Sequence, residues 1–321
     1  MQPVDIDVSV AIAHWNVHDL LYDCLKSIYE NAEKVSLEVI VVDNASTDSS
    51  AGMVRENFPH VRLIENTENV GFNIATNQAI RASRGRYVLL LNNDTVISPG
   101  TLAKLVKYMD AHLKVGIVGP KLIYPDGRLQ WSCHHFETLQ SAVWMALFLY
   151  RLFPRSKVFG HHNMTYWDYN DTREVDWMMA TCMLVRREAI SEVGLLEERG
   201  FAGGEDADWC LRFWQHGWSI VFYHKAAVIH YHGKSSFDYD GKDAVNWRAQ
   251  SILESFKSSC RLFKAQHNER ELRICIAIRR IGAIIRLLLW SLVFLLDRSL
   301  STKAKIRGQW LILNSDPSFL K

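Results

Sequence analysis

The 321-residue sequence predicts an α/β fold, a doubly wound and mostly parallel sheet followed by a helical, amphipathic C-terminal extension. Three observations carry this reading. Short runs of Val, Ile and Leu alternate with amphipathic stretches through the first 120 residues. Those runs are apolar throughout, as strands buried on both faces require. Beyond Gly241 the chain reads as helices to its end. With 48% apolar and 22% charged residues, the chain buries a real core and is not a disordered polymer.

Taken in order, Val8–Ala13, Leu37–Val42, Val61–Glu65 and Arg86–Leu91 predict strands. Leu20–Tyr29, Ser46–Asn57 and Gly71–Ala82 predict the helices between them, the second opening on the helix-starting run Ser46-Thr47-Asp48. A helix over Thr101–His112 and a strand over Val115–Gly119 follow. Leu139–Phe153 is a dense apolar run with Arg151, Arg155 and Lys157 about its end, and fits either a lipid-facing patch or ordinary core. A strand-like stretch (Val175–Val185), a helix from Glu205, and two strands near Ile220–Tyr223 and Ala226–His230 complete the α/β part. In such sheets ligands sit beyond the carboxyl ends of the strands, so the residues just after each apolar run matter most.

The six cysteines are scattered with no C-x-x-C pair, which predicts buried free thiols rather than a zinc or disulfide framework. The N-terminus carries acids where a secretion signal needs positive charge, an expectation of a cytoplasmic protein. The net charge of +2 hides an asymmetry. From Ser255 onward 13 Lys and Arg stand against four acids, a local balance of +9, while the first 254 residues carry −7. Such a split points to an anionic partner for the tail.

Four places carry chemistry. Asp43 ends an apolar run in VVDNASTD, where a carboxylate either accepts hydrogen bonds from a base or ribose or caps the next helix. Asn92-Asn93-Asp94 follows the strand YVLLL, so Asp94 either offers the oxygen ligand that Mg²⁺ or Mn²⁺ prefers or closes an Asx turn. In GGEDADWCLR, Glu205 and Asp206 stand at a helix start, where peptide N–H groups stabilise negative charge; they serve as general base or as simple caps. Asp208 and Arg212 are spaced to pair on that helix. Finally, His230 and His232 share one face of a strand end in VIHYHGKSS, and an imidazole there either completes a metal shell or packs.

Together VAIAHWN, VVDNASTD, ENVGFNIATNQAI, GRYVLLLNNDT, ATCMLVRRE, GGEDADWCLR and VIHYHGKSS, over about Val8–Ser236, resemble the family 2 inverting glycosyltransferases of GT-A fold, particularly their rhamnosyltransferase-like branch. The resemblance implies a GT-A domain over 1–240, with a nucleotide-binding part to about 120 and an acceptor part over 121–240, and a basic, apolar tail over 241–321. It implies that Ala13, Asn16, Asp43, Asn69, Gly71, Asn73, Asn77 and Asn93 bind the nucleotide. Asp94 and His230 would hold a divalent metal, Asp206 would be the catalytic base and Glu205 its acidic neighbour. The resemblance further implies a nucleotide-diphosphate sugar donor and a glycan acceptor. The branch points to L-rhamnose from a dTDP donor and a polyprenyl-diphosphate-linked acceptor, in bacterial cell-surface polysaccharide synthesis. A UDP-hexose or UDP-N-acetylhexosamine donor, or a non-catalytic nucleotide-sugar-binding module, are the alternatives. This sequence departs from the family in having His14-Trp15-Asn16 after the first strand and a single acid in Asn92-Asn93-Asp94.

Ile281–Leu296 has one charge in sixteen residues. As a helix it is about 24 Å long, short of the ~30 Å hydrocarbon core. It therefore predicts an interfacial helix, with Arg279, Arg280, Arg286 and Arg298 near lipid headgroups and Trp290 at the boundary. The expected location is peripheral, on the cytoplasmic face of the inner membrane. Because the arginines are interleaved with Ile and Leu, no nucleic-acid partner is expected. The apolar tail leaves a homo-oligomer open.

Overall fold

The computed structural model describes residues 6–32, 34–198, 204–231 and 244–320. The chain divides into a sheet unit (1–133, 169–201 and 206–238) and a helical unit (134–168, 202–205 and 239–321). Residues 134–168, placed with the acceptor part by sequence, thus group with the C-terminal helices.

The elements run β1 (Val8–His14), α1 (His18–Glu30), β2 (Leu37–Asp43), α2 (Ser50–Asn57), β3 (Arg62–Glu65), α3 (Phe72–Ala82), β4 (Tyr87–Leu91), β5 (Thr95–Ile97), α4 (Thr101–Ala111) and β6 (Val115–Ile123). Then come β7 (Leu129–Gln130), β8 (Cys133–His134), α5 (Leu139–Ala146), α6 (Leu149–Leu152), β9 (Arg173–Glu174), β10 (Trp177–Met178), β11 (Cys182–Arg186) and α7 (Arg187–Val193). The chain finishes with α8 (Glu205–Gln215), β12 (Ser219–His230), α9 (Ala244–Lys264), α10 (Glu269–Phe294) and α11 (Leu300–Leu313).

Among the described residues the main sheet has the order β3-β2-β1-β4-β11-β6-β12-β5, with β7 on β6 and β9 on β12. The four strands from β3 to β4 are parallel. β11 enters antiparallel between β4 and β6, so the second half is mixed. The expected strands are all present in the first 120 residues. Two expectations change. Helix α2 starts at Ser50 rather than Ser46, because Ser46 donates its N–H to Asp43 Oδ2 at 3.1 Å and is held in the loop. The two strands expected over 220–230 are one strand, β12, whose pairing with β6 is interrupted between Tyr223 and Ala227.

The sheet core is built from β1, β2, β4 and the apolar faces of α1 and α4, including Val10, Ile12, Leu21, Leu25, Leu89 and Leu105. All six cysteines are buried and free. Burial pushes the Cys24 and Cys133 thiols up to about 12, so they are inert packing groups at neutral pH. The Asp208–Arg212 pair forms at 3.0 Å.

In the helical unit, the apolar run 139–153 is not one helix. Phe148 adopts φ 58° and breaks it into α5 and α6. Its buried part packs as core, with Ala142 against Phe263, Leu272 and Cys275, while Leu152 and Phe153 are exposed. Thr138 and Ser141 form a reciprocal cap on α5, and Asn268 and Glu271 do the same on α10. Helix α10 begins twelve residues before the expected apolar run. This corrects the placing of three arginines, one of which, Arg286, donates to the Met145 carbonyl at 2.9 Å. Arg279 is paired with Glu137, its side chain 14% exposed, and Arg280 donates to the Ser315 carbonyl at 2.6 Å. None is a headgroup contact; each neutralises an internal acceptor. Among the described residues no helix is long and apolar enough to cross a membrane.

Two glycines make the close packing testable. A Cβ on Gly85 would lie 2.6 Å from the Ser9 backbone nitrogen, between β1 and the start of β4, whereas one on Gly52 in α2 would meet nothing within 4 Å. Gly85→Ala should destabilise the protein by about 1–3 kcal/mol. Gly52→Ala should stabilise it by about 0.5–1 kcal/mol. Urea unfolding midpoints of the two variants check the pair.

Candidate active site

The carboxyl edge of the sheet gathers two groups of polar side chains. The first depends on strand pairing. β12 runs antiparallel to β5 with His230 opposite Thr95, and the Tyr231 N–H donates to the Asp94 carbonyl at 2.9 Å. Thr95 Oγ1 donates to the Asn92 carbonyl at 2.7 Å and closes the intervening turn. His230 Nε2 consequently lies 3.2 Å from Asp94 Oδ1, with both side chains almost fully buried (4% and 1% exposed). His230 Nδ1 meets Gln130 Oε1 at 2.9 Å. An amide oxygen only accepts, so Nδ1 donates to Gln130 while Nε2 faces a carboxylate oxygen. This close approach suits either a shared proton or a shared metal ion.

The donor chemistry fits a divalent metal. Ligands at the ~2.1 Å bond length of an octahedral site stand about 3 Å apart when adjacent, near the observed His–Asp separation. Among the described residues no cluster of three or more His, Cys, Asp or Glu could hold an ion. Among the described residues Asp94 and His230 would be the protein's ligands, with ligand oxygens able to join them. His232 and Gly203 lie outside the described residues.

The second group surrounds the ends of β1 and β2. His14, 1% exposed, takes a hydrogen bond at Nδ1 from Asn93 Nδ2 at 2.8 Å. Its Nε2 is buried without a hydrogen-bond partner. Burial, outweighing the attraction of Asp43 and Asp48, lowers the His14 pKa to about 4, so the ring is neutral at pH 7. Next to it, the Asp43 carboxylate accepts from both the N–H and the hydroxyl of Ser46. It shapes the β2–α2 loop and, with about four lone pairs, retains acceptor capacity. Ala13 is at the β1 end, opposite Val42 in β2. Asn16 adopts φ 56°, donates its N–H to Ser46 Oγ and accepts from the Thr47 N–H.

The segment before α3 is also arranged by its polar groups. Exposed Asn69 accepts from the Gly71 N–H at 3.0 Å, and Gly71, at φ 88°, takes the Asn44 amide on its carbonyl. Asn73 donates to the Glu197 carbonyl at 2.8 Å and leaves its Oδ1 buried without a partner. Asn77 corrects an expectation. Fully buried, it gives both amide hydrogens to the Leu196 carbonyl and Glu198 Oε1, and accepts from the Leu196 N–H. It orders residues 196–198, and both of its amide hydrogens are spent there rather than on a nucleotide.

Glu205 and Asp206 form the first turn of α8, where Asp206 Oδ1 accepts from the Ala207 N–H at 2.8 Å. The helix is fixed below them by buried Trp209, which donates to the Gly194 carbonyl, and Phe213. Partly exposed carboxyls on a rigid helix start suit proton acceptance from an incoming hydroxyl. Reasoning from sequence alone missed Gln130 and residues 196–198, which carry no local signal. His14, by contrast, is visible in the sequence as a histidine closing an apolar strand.

The profile of "Glycosyl transferase family 2" matches residues 9–194, more than half of the chain. The chain belongs to this family. Among relatives, the N-acetylglucosaminyl-diphospho-decaprenol L-rhamnosyltransferase of Mycobacterium tuberculosis is 28% identical over 202 residues, covering 59% of this chain and 65% of that protein. The O-antigen biosynthesis protein RfbC of Myxococcus xanthus is 29% identical over 229 residues, 67% of this chain and 16% of that one. The transferase thus spans less than two thirds of either relative. Among solved structures, a mannosyltransferase of Pyrobaculum calidifontis, in complex with GDP-Man and Mn²⁺, superposes with a TM-score of 0.57 at 17% identity, covering 97% of this chain and 86% of that one. The likeness shows a GT-A-like fold.

The buried neutral His14 has a stability signature. Its folded pKa of about 4 lies below the unfolded value of 6.5, so between those pH values the unfolded chain binds more protons. Its contribution is complete above pH 6.5 and falls by up to about 3 kcal/mol as pH drops to 4. His14→Asn retains an acceptor for Asn93 and cannot titrate. Unfolding free energies measured across pH 4–7 should show a shallower slope for this variant than for wild type.

Proposed function

We propose that this transferase moves a sugar from a nucleotide diphosphate to a hydroxyl of a lipid-linked glycan, inverting the anomeric centre. The observation that carries the reading is the 3.2 Å approach of His230 to Asp94, beside the His14–Asn93 pair at the carboxyl edge of the sheet. In this reading Asp43 and the Asn16 loop would take the base and ribose, with Asn69, Gly71 and Asn73 assisting. Asp94 and His230 would hold Mg²⁺ or Mn²⁺, which supplies charge stabilisation to a leaving diphosphate.

The chain's own groups do the rest. Asp206 accepts the proton of the acceptor hydroxyl as it attacks the donor sugar from the face opposite the nucleotide. Glu205, beside it, keeps the local field negative and orients that hydroxyl. Direct displacement of this kind inverts the anomeric carbon and needs no covalent enzyme intermediate. The similarity to the mycobacterial L-rhamnosyltransferase supports a dTDP-rhamnose donor and a polyprenyl-diphosphate-linked acceptor in polysaccharide synthesis.

A lipid-borne acceptor fits the surface of the helical unit. Along α10, Ile281, Ile284, Leu288, Leu289 and Leu292 are each between 46% and 63% exposed. Such a face suits the headgroup boundary of an anionic membrane, with Arg298, Lys303 and Arg307 nearby in sequence to meet its charge. This reading puts the transferase on the cytoplasmic face.

Thermal unfolding with dTDP or UDP, with and without Mn²⁺, identifies the base and the metal requirement. Asp94→Asn should abolish the Mn²⁺-dependent part of the shift. Asp206→Asn should keep it while turnover of dTDP-rhamnose or the preferred donor drops by about 10²–10⁴. Turnover that survives Asp206→Asn would remove that residue from the role of base.

A further inference from the structure

The α10–α11 hairpin of the helical unit encloses a groove of about 590 Å³, within the size range of small-molecule sites. Its walls are Leu287 and Phe294 of α10 and Ile306 and Trp310 of α11. Lys303, Arg307 and Ser291 line it too, and Trp310 adds an indole N–H. The two cations are four residues apart on α11 and therefore share a face. No acid lines the groove, and neither cation is in an ion pair among the described residues. The remaining cations around it are already engaged: Lys305 lies 4.0 Å from the Trp290 ring centroid, and Arg286 donates to the Met145 carbonyl.

We infer that this groove binds one phosphate-bearing lipid chain, with the phosphate between Lys303 and Arg307 and the hydrocarbon against Leu287, Phe294, Ile306 and Trp310. The charge pattern selects the occupant. An uncharged chain would make no use of the two cations, and a free anion would gain nothing from four apolar walls. A peptide partner would also need donors for its backbone carbonyls and acceptors for its N–H groups, and among the lining side chains only Ser291 accepts. This deepens the lipid-facing part of the proposed function and rests on it: the site would seize a single lipid from the surface on which α10 lies.

Dodecyl phosphate, kept below its micellar concentration, is the probe, and the emission of Trp310 is the readout in the full-length chain. The difference between wild type and Trp310→Phe isolates that signal from the other tryptophans. The inference predicts saturable binding at one site, weakened at least tenfold in Lys303→Gln/Arg307→Gln and unchanged in Arg298→Gln, a cation outside the groove. Inorganic phosphate and dodecanol should bind at least tenfold more weakly than dodecyl phosphate. Equal binding of dodecanol, equal binding of inorganic phosphate, or an equal loss in Arg298→Gln would each overturn the inference. Because the charged pair is exposed, the double variant is expected to fold, and its melting temperature without ligand confirms this. A dTDP- or UDP-induced shift measured on the same preparation reads the sugar-transfer site separately, so failure of the groove and failure of the transferase reading give different results.

Discussion

His230 meets Asp94 because β12 turns onto β5 in antiparallel register, and much of the sheet's second half serves that pairing. β12 is twelve residues long, runs parallel to β6, and slips register between Tyr223 and Ala227 before reaching β5. The Ala227 carbonyl then takes the Thr101 hydroxyl at 2.8 Å, which ties the start of α4 to the same stretch. Gln130, in a two-residue strand on β6, fixes the imidazole from its other side. Buried acceptors that face each other are costly unless a cation joins them. At this one sheet edge the fold therefore brings together a carboxylate and an imidazole that a shared proton or a metal ion would join.

The parallel half was legible from sequence because its strands are apolar on both faces and its helices are amphipathic, so periodicity and burial agree. Asp43 and Asp94 stand out in the sequence for a related reason: each is an acid at the end of an apolar run. What was not legible is long-range. Asn77 looks like any asparagine in a loop–helix segment, yet its partners are more than a hundred residues away. Gln130 lies a hundred residues from His230. The bulge that unites β12 leaves only a polar interruption in the sequence, which reads as a turn.

The tail shows a similar division. Its excess of cations was plain, but their individual duties depend on packing. Arg279 answers Glu137, Arg280 a carbonyl, and Arg286 a carbonyl and the Phe148 ring at 5.0 Å. Those three hold the helices together, while Arg298, Lys303 and Arg307 remain on the surface. A charge count therefore overstates the field available to a lipid surface, and the distinction between internal and free cations is what defines the α11 groove.

The central claim, that Asp94 and His230 hold a metal together with a nucleotide diphosphate, is tested most directly by imidazole NMR. Mn²⁺ is added in trace amounts to the ¹⁵N-histidine-labelled protein saturated with dTDP or UDP. The account predicts selective broadening of one set of ring resonances, identified as His230 by its loss in His230→Gln, and no broadening in Asp94→Asn. Sharp His230 resonances in the presence of bound nucleotide and Mn²⁺ would contradict it.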